Sequence, residues 1–350
     1  MHHHFSGPHY TVTNSKTLTG KMPVLFVHGN TSTSAWWQPL MQCFDSERYF
    51  CIAPDLNGFG RTHFRAIDAR TGVRDWARDV VDLLDRLGIS KVHVVCSSLG
   101  GVVGWELLAR HGNRLLGLVQ IAPGSPYGFG GTHGSEGRPN FPDFAGSGAG
   151  MSNPALIARI RAGDCSKQPP MVTSPAWVLQ HYVLRNRIEL DEDHPLLDGM
   201  FALRPGDDGF PGDVQESPNW PGYAPGDRGI VNSISPKHLA GLAEAVVQAP
   251  DVVPLLWLRG SEDGIVSDRS GSDPAVLGAA GLIPGFPGEN AVPPQPMLAQ
   301  TRYVLDARAA ASGGAPYQER VLDGLGHCPY LEDPRWVYAE ISRWFDDIRA

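Results

Sequence analysis

The run Val92-His93-Val94-Val95-Cys96-Ser97-Ser98-Leu99-Gly100-Gly101 reads as a buried strand, a sharp turn and the start of a helix. A serine at such a turn sits in strained backbone geometry that lifts its hydroxyl above the sheet, and its neighbours must be small so that strand and helix can approach. Of the two serines, Ser98 has a glycine two residues on and Ser97 does not; the plain alternative for Ser98 is a helix N-cap. Two later segments hold a carboxylate and an imidazole that could partner it: Leu258 to Val266 carries Asp263, with Glu262 beside it, and Gly324 to Pro334 carries His327. A serine hydroxyl is a poor nucleophile until a neutral histidine takes its proton, and a carboxylate must fix that histidine's tautomer and stabilise the imidazolium. Ser98, His327 and Asp263 meet that need. The chemistry would be acyl transfer, with an acyl-enzyme on Ser98 released by water that His327 activates.

These segments resemble those of the α/β-hydrolase-fold serine hydrolases. The strand-turn-helix run resembles the nucleophile elbow G-x-S-x-G, with Cys96 where the first glycine is usual. Val27-His28-Gly29-Asn30 resembles the HG-x turn, which implies an oxyanion hole from the Asn30 and Leu99 N–H groups, each donor worth roughly 3 kcal/mol. Pro54-Asp55-Leu56-Asn57-Gly58-Phe59-Gly60-Arg61-Thr62 resembles the D-x-x-G-x-G-x-S segment, a fold marker. Leu258 to Val266 resembles the G-x-x-D-x-hydrophobic acid loop, and Gly324 to Pro334 resembles the G-x-G-H-x-P-x-x-E-x-P histidine segment. The order Ser, Asp, His is that of the fold. The resemblance implies an α/β-hydrolase fold: a mostly parallel central sheet flanked by helices, with an inserted cap. Trp36 and Trp37 after the HG-x turn are similar to dehalogenases, but those need an aspartate where Ser98 stands.

The elements that must position these residues are legible as alternating strands and helices. Near-continuous apolar runs at Pro23–Val27, Tyr49–Ala53, Val92–Cys96 and Leu115–Ile121 predict strands buried on both faces, and Val252–Leu258 and Gln318–Leu322 complete the series. Helical spacing predicts helices over Val73–Leu87 and Ser98–His111, and Asp333-Pro334 caps a final amphipathic helix. Residues 9–122 and 250–350 form the expected core domain. Residues 123–249, rich in Gly and Pro around helical patterns at Asn153–Ile160, Pro175–Leu184 and Pro236–Val247, form the expected cap, and Ser267–Pro296 a second insertion. Residues 1–8, with three histidines and neither basic nor apolar signal regions, read as a tag remnant or disordered leader.

With 350 residues, 42% hydrophobic content and a net charge of -8, the chain has a sizeable core and no footprint for nucleic acid. No apolar run nears the roughly 20 residues of a membrane span, so no membrane partner is expected. Five scattered cysteines without zinc-ligand spacing point to a reduced, cytoplasmic protein, and no motif calls for a metal or cofactor. A homo-oligomer is left open. The expected partner is a small-molecule ester or lactone. Tyr127, Phe129, Phe141, Phe144, Trp177, Tyr182, Trp220 and Tyr223 in the cap, with His28, Gly29 and Trp36 in the core, would bind a bulky, partly aromatic substrate. A macrolactone of the zearalenone type is one candidate. The alternatives are C–C bond hydrolysis of a diketone and a non-catalytic ligand receptor.

Overall fold

The computed structural model describes residues 8–12, 17–185, 188–311 and 317–349, so the expected leader lies outside the described residues except for Pro8. The apolar runs become strands because only burial on both faces removes them from water. The central sheet holds β1 (Tyr10–Val12), β2 (Met22–Val27), β3 (Tyr49–Pro54), β4 (Val92–Ser97), β5 (Leu115–Ile121), β6 (Leu255–Gly260) and β7 (Tyr317–Leu322). Its order is β1-β3-β2-β4-β5-β6-β7, parallel throughout except for the β1–β3 pair. The elbow strand β4 is therefore central. β6 starts three residues later than Val252, where the sequence placed it: Val252 is exposed, and Pro254 has no N–H to give a ladder.

Four longer helices flank the sheet, α1 (Gly72–Arg86), α2 (Leu99–His111), α4 (Met297–Ala311) and α5 (Pro334–Asp347), while α3 (Pro154–Ala162) lies in the connection after β5. Side chains alternate across a strand. On one face Gly104 of α2 meets Gln120 and Cys96; on the other, Phe345 of α5 packs 4.1 Å from the His93 ring and Trp344 against Gly117. Asp333 accepts the Trp336 N–H at 2.9 Å to open α5. Helix α4 was not anticipated, because its buried face mixes Gln300, Thr301 and Arg308 with Met297, Val304 and Leu305 and so hides the apolar period. The connection between β5 and β6, which contains the expected cap, is built of α3, shorter helical segments, short ladders and turns. There the expected helix Pro175–Leu184 is one α-turn, Pro175–Trp177, followed by a π-helical turn, Val178–Val183, and Pro236–Val247 shortens to Leu242–Val247. The second insertion is tied to it by Gln295, whose Nε2 donates to Gly128 O at 2.9 Å.

Glycines of α2 set how closely it lies on the sheet. A Cβ at Gly100 would stand 2.4 Å from Val27 O and 2.5 Å from His28 O, and one at Gly104 would stand 3.0 Å from Cys96 Sγ. The Cys96 thiol thus occupies room that Gly104 leaves, which is how a cysteine fits a position where glycine is usual. Gly100→Ala is expected to cost about 2 kcal/mol or more in thermal or chemical unfolding. Gly88→Ala, which meets no atom within 4 Å, should cost only the ~1 kcal/mol of left-handed backbone.

Candidate active site

Ser98 follows β4 with φ 55° and ψ −120°, a region that L-residues with side chains rarely enter. Neighbouring backbone over-determines it: its N–H donates to Ile121 O at 3.2 Å, and its carbonyl accepts from Gly101 and Gly124 at 2.9 and 3.0 Å. Gly29 lies against it, since a Cβ there would stand 2.9 Å from Ser98 Cβ. The side chain makes no capping hydrogen bond to α2, so Ser98 is not the plain N-cap. Ser97 is an ordinary residue of β4, fully buried.

Asp263 and His327 meet across two adjacent loops. His327 Nδ1 lies 2.9 Å from Asp263 Oδ2, and both side chains are buried. The other carboxylate oxygen, Oδ1, accepts the Ile265 and Val266 N–H groups at 2.8 and 3.0 Å. Stitches hold the loops together: Ser261 N–H donates to Leu322 O and Glu262 N–H to Leu325 O, while Gly260 lets Leu325 and Gly326 pass overhead. Glu332, the glutamate of the histidine segment, accepts the Gly326 N–H at 2.8 Å, immediately before His327. Glu262 itself points elsewhere, its carboxylate 3.7 Å from Arg185.

Asn30 and Leu99 flank the same space. Leu99 opens α2, so its N–H is one of those that no intrahelical carbonyl can accept. His28, expected to bind substrate, does something else. Its ring is fully buried outside the cavity, with Nδ1 2.8 Å from Gly29 O and Nε2 accepting the Leu56 N–H at 3.0 Å. That pattern fixes the neutral tautomer with the proton on Nδ1. Asp55 anchors the same region, accepting N–H groups from Ser34 and Arg61 at 2.8 and 3.0 Å. Burial alone would raise its carboxyl pKa, but these donors and His28 pull it below the ordinary value.

A cavity of about 580 Å³ opens over Ser98 and His327. Of the residues expected to line it, Gly29, Trp36, Phe129, Trp177 and Tyr182 do so, and His28, Tyr127, Phe141, Phe144, Trp220 and Tyr223 do not. Tyr127 packs under the turn at Gly137, and Trp220 spends its indole N–H on Pro284 O at 2.9 Å while packing on Phe286. Much of the remaining wall is apolar and was missed: Leu156, Ile157, Met200, Val231, Ile234 and the aromatic Phe210 come from the connection after β5. Ile265 and Val266, next to Asp263, and Cys328 and Tyr330, next to His327, were within reach of a local motif. Among the described residues, no cluster of His, Cys, Asp and Glu could hold a metal ion, and no helix is long and apolar enough to cross a membrane.

A family model described as the alpha/beta hydrolase fold matches residues 22–146. The chain has the α/β-hydrolase fold. Among curated relatives, the putative carbamate hydrolase RutD of Caulobacter vibrioides is 33% identical over 115 residues, 33% of this chain and 42% of that protein. The chain therefore spans about two fifths of that relative's length. Among solved structures, the enol-lactonase from Burkholderia xenovorans LB400 superposes with a TM-score of 0.54 at 13% identity, covering 97% of this chain and 96% of that one. The 2-hydroxy-6-oxo-6-phenylhexa-2,4-dienoate hydrolase from Rhodococcus sp. strain RHA1 gives 0.51 at 16% identity, covering 94% and 91%. At these identities the likeness is one of fold.

The buried imidazole of His28 should make the fold sensitive to acid. Burial, opposed by the Asp55 carboxylate and the Gly29 carbonyl, holds its pKa below the ordinary value of about 6.5. The stability it contributes is complete above about pH 6.5 and is lost as the pH falls, because the unfolded chain takes up the proton first. In unfolding titrations between about pH 7.5 and pH 5, His28→Asn should lose less stability than wild type, by up to about 1.4 kcal/mol per pH unit.

Proposed function

We propose that the protein is a serine hydrolase that cleaves a carboxylic ester or lactone of a bulky, uncharged, largely apolar substrate. The observation that carries this is the His327 Nδ1–Asp263 Oδ2 pair beside a strained serine at the same cavity. With its Nδ1 proton donated to Asp263, a neutral His327 keeps its lone pair on Nε2 and can act as a base there. Ser98 Oγ would give its proton to that nitrogen and bond to the substrate carbonyl carbon, with the oxyanion held by the Asn30 and Leu99 N–H groups. Collapse breaks the carbonyl carbon's bond to the leaving oxygen, which takes the proton from His327. Water then repeats the sequence on the acyl-enzyme and frees Ser98 and the acid.

The wall supports the substrate class. Among the described residues that line the cavity there is no Asp, Glu, Lys or Arg, and aliphatic and aromatic side chains dominate. Burying an unpaired carboxylate there would cost several kcal/mol. A neutral aryl ester or aromatic macrolactone suits such a site, whose volume falls within the roughly 300–1,000 Å³ usual for ligand pockets.

A fluorophosphonate probe should label the wild type and Ser97→Ala but not Ser98→Ala. Against neutral aryl esters and macrolactones, Asp263→Asn should lower kcat by a factor on the order of 10⁴. A panel that adds ω-carboxylated esters and vinylogous diketones decides the class. Neutral esters or lactones should turn over fastest; turnover of the diketones alone would replace ester hydrolysis with C–C cleavage, and a wild type that neither labels nor turns over would favour a ligand receptor.

A further inference from the structure

The acid loop is held from outside by a residue of the connection between β5 and β6. Tyr182, in the π-helical turn Val178–Val183, reaches across to that loop. Its hydroxyl donates to Gly264 O at 3.2 Å and lies 2.9 Å from Ser272 Oγ. Gly264 O also accepts the Gly271 N–H at 2.9 Å, so the two donors together define the direction of this carbonyl.

That carbonyl belongs to the same planar peptide unit as the Ile265 N–H, and a peptide plane turns as one body. The Ile265 N–H is the nearer of the two donors that hold Asp263 Oδ1, at 2.8 Å against 3.0 Å for Val266, and the other carboxylate oxygen holds His327. A glycine at position 264 leaves the plane unusually free to turn unless something pins it. Burial pushes the Tyr182 pKa up, which keeps the hydroxyl protonated as a donor. The same segment also covers the neighbouring loop: a Cβ at Gly326 would stand 2.5 Å from Arg185 Cγ.

We infer that Tyr182 is a positioning residue, whose hydroxyl pins the 264–265 peptide and through it fixes the Asp263 carboxylate that orients His327. This rests on the serine hydrolase reading. It assigns Tyr182 a role beyond forming cavity wall, and it makes catalysis depend on the segment after β5 being seated.

Tyr182→Phe removes the hydroxyl and keeps the ring in the wall. Its kcat should fall roughly fivefold, the scale of one lost hydrogen bond. The fall should be equal for a small acetyl ester and a bulky aryl ester, with KM unchanged, and the rate of fluorophosphonate labelling should fall by a similar factor. Amide hydrogen exchange at Ile265 and Val266 should quicken in the folded variant. An unchanged kcat with KM raised only for the bulky ester would reduce Tyr182 to a wall residue and overturn the inference. Unchanged exchange at both amides would overturn it too. A wild type without esterase activity but with exchange quickened by Tyr182→Phe would sink the hydrolase reading while upholding the pin itself.

Discussion

The hydrogen bond between His327 Nδ1 and Asp263 Oδ2 joins residues 64 apart in sequence, and it sets what the surrounding loops must achieve. A carboxylate buried beside an imidazole is costly unless its lone pairs are occupied. Here Oδ2 meets the ring and Oδ1 meets two backbone N–H groups, so the pair is satisfied without an outside cation. The loops can deliver that geometry because β6 and β7 are parallel neighbours whose C-terminal ends open on the same side. Gly260 and the Glu332–Gly326 hydrogen bond then set the loops against each other.

A second constraint is the backbone of Ser98. Holding a non-glycine residue in that geometry costs on the order of 1–3 kcal/mol, and it persists because its surroundings leave no alternative. Ile121 and Gly124 grip its peptide groups, Gly29 presses on its side chain, and Gly100 seats α2 on the end of β2. His28 and Asp55 act one layer further out. They fix the turn after β2 that presents Gly29 and Asn30, which is why a histidine beside the cavity can be essential to its shape without touching its contents.

Much of this arrangement is legible in the amino-acid sequence. Strands β2 to β5 are short apolar runs, and the residues of the elbow, acid loop and histidine loop each sit in a local pattern that follows a strand. Local patterns fail where contacts are long-range. Helix α4 buries Gln300, Thr301 and Arg308 in polar contacts, which removes the periodicity that would announce it. Strand β1 is three residues long, with Tyr10 exposed at the sheet edge. The aromatic residues of the insertion are a poor guide to the cavity. Tyr127 and Trp220 find partners elsewhere in the insertions, while aliphatic residues with no distinguishing spacing form much of the wall. The role inferred for Tyr182 depends on one peptide plane in a loop 82 residues away from it, and no sequence pattern encodes that distance.

The central claim is that a substrate acyl group passes through a covalent bond to Ser98. Rapid-quench mass spectrometry during turnover of a bulky neutral p-nitrophenyl ester tests it most directly. The account predicts an adduct of one acyl mass on the peptide that contains Ser98, formed in a burst together with p-nitrophenol. Turnover with no adduct at early times, supported by single-turnover incorporation of labelled water without an acylated protein, would contradict it.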